Sequence, residues 1–224
     1  MKLLWRLGLI ALAVLVIYWF SVPAARVRVH ADSWEAPVVD QVWYSQSQGL
    51  LMLLNRASVV ERLEGLPVID VTIERERPWN ATVGVDIADP DVVIRQGSKL
   101  AAVFLQTGTA YAVTKTSKSW NMVDVSGFPS ASPAFLSASL EYAPICSELM
   151  QHRGQLAIMS MSLSPSMGLF VRLKDGKTII LGDSANSALK IERGIAVLGM
   201  PAFKGKKVTI DLRFDGQAVI PETP

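Results

Sequence analysis

The hydrophobic pattern divides this chain into one continuous apolar run and a long body of shorter periods. Leu3 to Val22 is almost wholly apolar, with Lys2 and Arg6 at its leading edge and Pro23, Arg26 and Arg28 behind it. Counted from Leu3, this is roughly 30 Å of helix, the thickness of a bilayer core. Trp5, Tyr18 and Trp19 fall near its ends, where interfacial aromatics sit. The pattern predicts a single N-terminal transmembrane helix over residues 7–22, with residues 1–6 as a cytoplasmic tail. The competing reading is a cleaved signal peptide. Val22-Pro23-Ala24 offers small residues near a cleavage point, and Leu7 to Phe20 has the length of a signal core. Lys2 and Arg6 nearly balance Arg26 and Arg28, so charge alone leaves the orientation open. So short a tail cannot hold a domain, which puts the folded mass C-terminal to the span.

Past the run, Arg26 to Ala31 alternate like a strand, with Val27 and Val29 on one side. Pro37 opens a helical pattern in which Val38, Val39, Val42 and Trp43 share a face. Leu50 to Asn55 reads as a buried segment. Ser58 is a plausible N-cap for a short helix Val59–Leu63, Glu61 completing a capping box, and Gly65 ends it. The period then becomes two. Val71 and Ile73 alternate with Thr72 and Glu74, and Val83, Val85 and Ile87 alternate with Thr82, Gly84 and Asp86. Strand, helix, helix, strand, strand is a small α+β domain, assigned to residues 26–94.

The remainder is mainly β, with helices, assigned to residues 95–219 and followed by a tail of residues 220–224. Strands are expected at Leu100–Gln106, Thr109–Thr114, Trp120–Val125, Leu156–Leu163, Phe170–Leu173, Thr178–Leu181 and Val208–Phe214. Asp175-Gly176 is a strong hairpin signal. Helices are expected over Ala134–His152, where Pro144 is a break or second start, and over Asn186–Leu198.

Composition narrows the function. The formal charge is +2, too small to argue for nucleic acid. Lys204-Gly205-Lys206-Lys207 reads as a solvated turn. The single cysteine, Cys146, rules out an internal disulfide and lies in an apolar helical stretch, as packed core cysteines do. Two histidines, His30 and His152, are too few for an imidazole metal site, and no cofactor motif is present. Asp86, Asp89 and Asp91 read as strand-end and turn residues. Ser187-Ala188-Leu189-Lys190 fits the Ser-x-x-Lys spacing of penicillin-interacting acyltransferases, but the companion motifs are absent. Ser187 is more simply a helix-start residue with Lys190 on the wet face. The chain is therefore expected to be a non-catalytic interaction protein.

Four stretches carry a resemblance. They are Leu66-Pro67 followed by Val71-Thr72-Ile73, Arg75-Glu76-Arg77-Pro78 and Ala81–Val85; Met122-Val123-Asp124-Val125-Ser126-Gly127; Leu173–Gly182; and Val208–Gly216 with its Asp211-Leu212-Arg213-Phe214. In this order, behind one N-terminal anchor, they resemble the FtsQ/DivIB cell-division proteins. Ala88-Asp89-Pro90 departs from the family's glutamate-arginine before the second proline. The resemblance implies an uncleaved anchor, a POTRA-like βααββ domain and then a β domain. It implies a single-pass type II protein of the plasma membrane, its body on the extracytoplasmic side at the division septum.

The implied partners are other divisome membrane proteins, FtsB and FtsL among them, bound by strand addition along an edge from Ile210 to Val219. The implied contact residues are Arg213, Phe214, Asp215, Gly216 and Val219. Phe214 matches the family's tyrosine as an aromatic anchor, Arg213 would pair with a partner carboxylate, and Gly216 would admit a close backbone. Two alternatives remain: an anchored POTRA-type chaperone of envelope biogenesis, and a cell-wall hydrolase or acyltransferase.

Overall fold

The computed structural model describes residues 2–21, 26–31, 35–43, 55–77, 80–117, 119–214 and 216–220. Helix α1 (Lys2–Ser21) comes first. Its side chains are described over residues 8–17, and Leu9, Ile10, Leu12, Val14, Leu15, Val16 and Ile17 are all exposed. Among the described residues no helix is long and apolar enough to cross a membrane. The chain divides into two compact units, Met1–Ala88 and Asp89–Pro224.

In the first unit, β1 (Arg26–His30), α2 (Ala36–Trp43), α3 (Arg56–Arg62), β2 (Val68–Arg77) and β3 (Asn80–Ile87) follow in the expected order. The sheet order is β1-β3-β2, with β1 parallel and β2 antiparallel to β3. Val38, Val39 and Trp43 of α2 and Val59 of α3 are buried, as are Val71, Val83 and Val85 of the sheet. The stripes read from the sequence in α2 and β3 are thus buried faces. One expectation is corrected. The N-cap of α3 is Asn55, whose Oδ1 accepts from the Ser58 amide at 2.9 Å while Ser58 Oγ accepts from the Asn55 amide at 2.9 Å. Ser58 is thus the third helical residue of the box, not its start. β2 extends the alternation read at Val71–Glu74 in both directions, with charged Asp70, Glu74 and Arg75 at exposed positions that a two-layer sheet leaves in water. Residues 50–54 of the expected buried segment lie outside the described residues; Asn55 is exposed.

The second unit holds β4 (Val92–Gln96), β5 (Lys99–Phe104), β6 (Thr109–Val113), β7 (Met122–Ser126), α4 (Ser132–Gln151), β8 (Ile158–Ser164), β9 (Gly168–Leu173), β10 (Thr178–Gly182), α5 (Ser187–Leu198) and β11 (Thr209–Asp211). β4 straddles the expected boundary at residue 95 and pairs with β5 and β7. The eight strands form one mixed sheet, β11-β10-β9-β8-β7-β4-β5-β6.

One face of that sheet packs on α4 and α5. Ile94, Val103, Val123, Val171, Leu181 and Ile210 meet Phe135, Ile145 and Leu149 of α4 and Ile191 of α5 in a single core. Residues between them, such as Asp124, Ser126, Ser160 and Arg172, point the other way and are exposed. α4 passes through Pro144 without a break. A helix-interior proline costs about 3 kcal/mol, and the flanking Ala143, Ile145 and Cys146, all fully buried, offset it by packing. The Asp175-Gly176 turn joins β9 to β10, with Gly176 at φ +84°.

Candidate interaction site at the C-terminal strand

β11 is the last strand and forms one edge of the eight-stranded sheet. It runs parallel to β10, with Ile179 beside Ile210 and Ile180 beside Asp211. Ile210 and Leu212 point into the core and are fully buried, and the Leu212 amide donates to Ile180 O at 2.8 Å. Their burial anchors the strand, so residues 211 and 213 face away from the helices.

The expected strand Val208–Phe214 and the expected edge Ile210–Val219 are both shorter in the structure. Regular pairing stops at Asp211, and the chain turns back. The Asp211 amide donates to Val219 O at 2.8 Å, and the Val219 amide donates to Asp211 O at 2.9 Å. The outward main-chain groups of Asp211 are therefore occupied by the chain's own C-terminal segment. Gly216 has φ +74°, a left-handed turn conformation, and open space lies where a Cβ would stand. Its role here is the reversal rather than a close backbone approach. The Gln217 amide donates to Phe214 O at 3.2 Å across the turn, and Arg193 Nη1 donates to Gln217 O at 3.3 Å.

Arg213 lies against its own strand. Nη2 donates to Asp211 Oδ2 at 2.6 Å and Nε donates to Oδ1 at 3.0 Å, while Nη1 donates to Ser166 O at 3.3 Å. The fork geometry expected for a partner carboxylate is taken up by Asp211. Hydrogen bonding from Arg213 holds the Asp211 carboxyl below its usual range, against the opposing effect of burial. The stem of Arg213 crosses Gly182, where a Cβ would come within 2.8 Å of its Cγ. Gly182 in turn lies against Gly168, whose added Cβ would stand 2.5 Å from the Gly182 backbone. The Leu181-Gly182 of the third resemblance motif thus has a steric reason.

Phe214 stands out from this frame, 52 % exposed, with the Arg213 guanidinium 6.0 Å from its ring centroid. Val219 is 39 % exposed. Asp215 lies outside the described residues. The structure therefore gathers Arg213, Phe214, Gly216 and Val219 at one sheet edge, with Phe214 and Val219 as its open apolar surface. Asp211, which ties the edge together, was not singled out from sequence. The signal was present, because residues two apart on a strand share a face and Asp211 and Arg213 carry opposite charge.

The Ser-x-x-Lys stretch is corrected. Lys190 is buried rather than on a wet face, and its Nζ donates to Asp183 Oδ1 at 2.6 Å and to Asp183 O at 3.1 Å. Its amine is thus directed at Asp183, ahead of the helix. Cys146 is fully buried, and burial pushes its thiol up to about 12. Asp89 accepts from Trp120 Nε1 at 2.9 Å and Asp91 from the Leu105 amide at 2.7 Å, turn roles of the expected kind. Among the described residues no group of three or more His, Cys, Asp or Glu is placed to hold a metal ion. No protein-family model matches this chain, and no curated protein matches it.

Proposed function

We propose that this protein is a non-catalytic, bitopic membrane scaffold of the bacterial divisome. It binds FtsB- and FtsL-type partners at the edge formed by its C-terminal strand during septum formation. The observation that carries this reading is the position of β11. This strand lies at one edge of an eight-stranded sheet, bridged on its outer side only at Asp211 by Val219, in a unit that follows a βααββ unit with strand order β1-β3-β2. This agrees with the POTRA-plus-β arrangement that the four sequence motifs imply. A sheet edge offers main-chain donors and acceptors to an added strand, and side chains beside it give specificity.

In this reading the anchor is the apolar run of residues 3–22 as a whole, of which the side chains described over residues 8–17 are too short a stretch to cross a membrane by themselves. The 20 residues of α1 correspond to roughly 30 Å of helix. Every described side chain on it, residues 8–17, is exposed, as a lipid-facing helix requires. Confinement to one membrane raises the effective concentration of partners anchored in the same bilayer. Because residues 217–219 already lie along Asp211, a partner strand either replaces that segment or adds to its outer side.

The test is depletion of the protein in its own cells, followed by microscopy of the septa. Long undivided cells or arrested septa are expected. Normal septation after full depletion refutes the division role.

A further inference from the structure

The eight-stranded sheet is split near its middle. β7 and β8 are parallel but pair only at Val125–Met161 and Ser126–Ser162. β7 begins at Met122 and is held there on β4 alone, while β8 begins at Ile158 and is held on β9 alone. Among the described residues no strand lies between these two starts. The opening is about 600 Å³, floored by the end of α4 and the turn that leads to β8. The Val93 amide donates to Asn121 O, which points residues 121 and 123 at β4. Alternation along the strand then turns the main-chain groups of Met122 and the amide of Asp124 toward the opening, the Asp124 carbonyl being taken up by the Val125–Met161 pairing.

The lining has a definite chemical character. Met122, Met150 and Met159 contribute to its apolar surface beside the buried Met161 and Val125, and Met159 is 71 % exposed. Arg95, Arg153 and Lys174 stand around it against one carboxylate, Asp124. Arg95 grips that carboxylate with Nε and Nη2, the latter at 2.6 Å, and so holds it charged, below the usual range. Arg153 and Lys174 are exposed and carry no ion pair among the described residues. The opening therefore presents unpaired strand main chain, an adaptable thioether surface and two uncompensated cations.

We propose that this split is a docking groove for an extended acidic segment of a partner protein. The segment's backbone pairs with the outward main chain of β7, and its carboxylates meet Arg153 and Lys174. Each feature selects for that occupant. Free strand edges take extended chains. Unbranched methionines repack around differing side chains. A net positive rim attracts carboxylates and repels basic segments. The groove stands apart from the C-terminal edge, since β8, β9 and β10 separate it from β11 in the sheet. The proposal also stands apart from the division role.

The test uses the full chain in lipid nanodiscs and a short fluorescein-labelled peptide that alternates valine and glutamate, followed by anisotropy. Its counterpart has lysine in place of glutamate. The acidic peptide is expected to bind and to weaken with added salt, and the lysine peptide to bind at least about tenfold more weakly, 1.4 kcal/mol. The double variant Arg153→Glu, Lys174→Glu is expected to lose acidic-peptide binding while keeping its thermal midpoint, both residues being exposed. Met159→Glu is expected to weaken it too. Equal binding of the two peptides, no binding of the acidic one, or unchanged binding by the double variant overturns the proposal. Self-association of the chain that disappears in the double variant, without peptide binding, would assign the groove to a second copy and also overturn it.

Discussion

Phe214→Ala separates partner contact from fold maintenance at the C-terminal edge, because the structure assigns the two effects different sizes. Burying a phenylalanine side chain completely is worth about 1.5–3 kcal/mol. Phe214 is 52 % exposed, so truncation forfeits roughly half of that, about 1 kcal/mol, and leaves no enclosed cavity. The Arg213 contact at 6.0 Å is at the outer limit for a cation–π interaction and adds little. For a chain of this size, 1 kcal/mol corresponds to a fall in melting temperature of about 2–4 °C. If the open half of the ring seats in a partner pocket, its loss costs about 2 kcal/mol or more, roughly 30-fold in Kd. The assay pairs calorimetry of the full chain in nanodiscs with titration against the extracytoplasmic part of an FtsB-type partner. A Kd change below about threefold with the small thermal shift removes Phe214 from the interface. A large thermal shift would refute the burial argument itself.

Three further outcomes are expected. Gly168→Ala puts a Cβ 2.5 Å from the Gly182 backbone at φ +69°, so the native fold should lose at least about 2 kcal/mol, read as a drop of about 4–8 °C in melting temperature. The Asp211 carboxyl is held below its unfolded value of about 3.9, so its contribution is present above that pH and is lost as pH falls through the folded value. Asp211→Asn should therefore give a shallower decline of melting temperature as pH falls below about 4 than the native chain shows, and an unchanged slope would contradict the assignment. The Cys146 thiol, pushed up to about 12 by burial, should resist Ellman's reagent at about pH 8 in the folded protein and react when denaturant is added.

Much of the architecture was readable because it rests on local rules. Asp175-Gly176 between two apolar stretches specifies a hairpin, and Gly176 takes the positive φ that the turn requires. The alternation in Thr82–Ile87 and the helical stripe Val38, Val39, Val42, Trp43 each identify a face that is buried in the fold. What escaped depends on contacts that local periodicity does not encode, some of them between residues far apart in sequence. Pro144 reads as a helix break until Ala143, Ile145 and Cys146 are seen packed in a core supplied by distant strands. Lys190 reads as a surface lysine because its partner, Asp183, lies before the helix begins. At the site, the aromatic anchor and the arginine were legible from the Asp-Leu-Arg-Phe run. The fold-back of Val219 onto Asp211 was not, since nothing local distinguishes a strand that continues from one that reverses at Gly216. The opening between β7 and β8 was equally hidden. It arises from the register of two strands whose paired residues, Val125 and Met161, are joined only through α4.

The thin pairing between β7 and β8 also bears on how the chain reaches its native state. β4–β5–β6 and β8–β9–β10 are antiparallel neighbours in sequence as well as in space, so each meander closes short loops and can form early. The remaining joins, β4 to β7, β7 to β8 and β10 to β11, are parallel and close longer stretches of chain. Local closure thus favours two quickly made halves that dock late, with α4 lying in the connection between them. The two residue pairs that join β7 to β8 are then where backbone amides are expected to exchange early, measurable by hydrogen exchange.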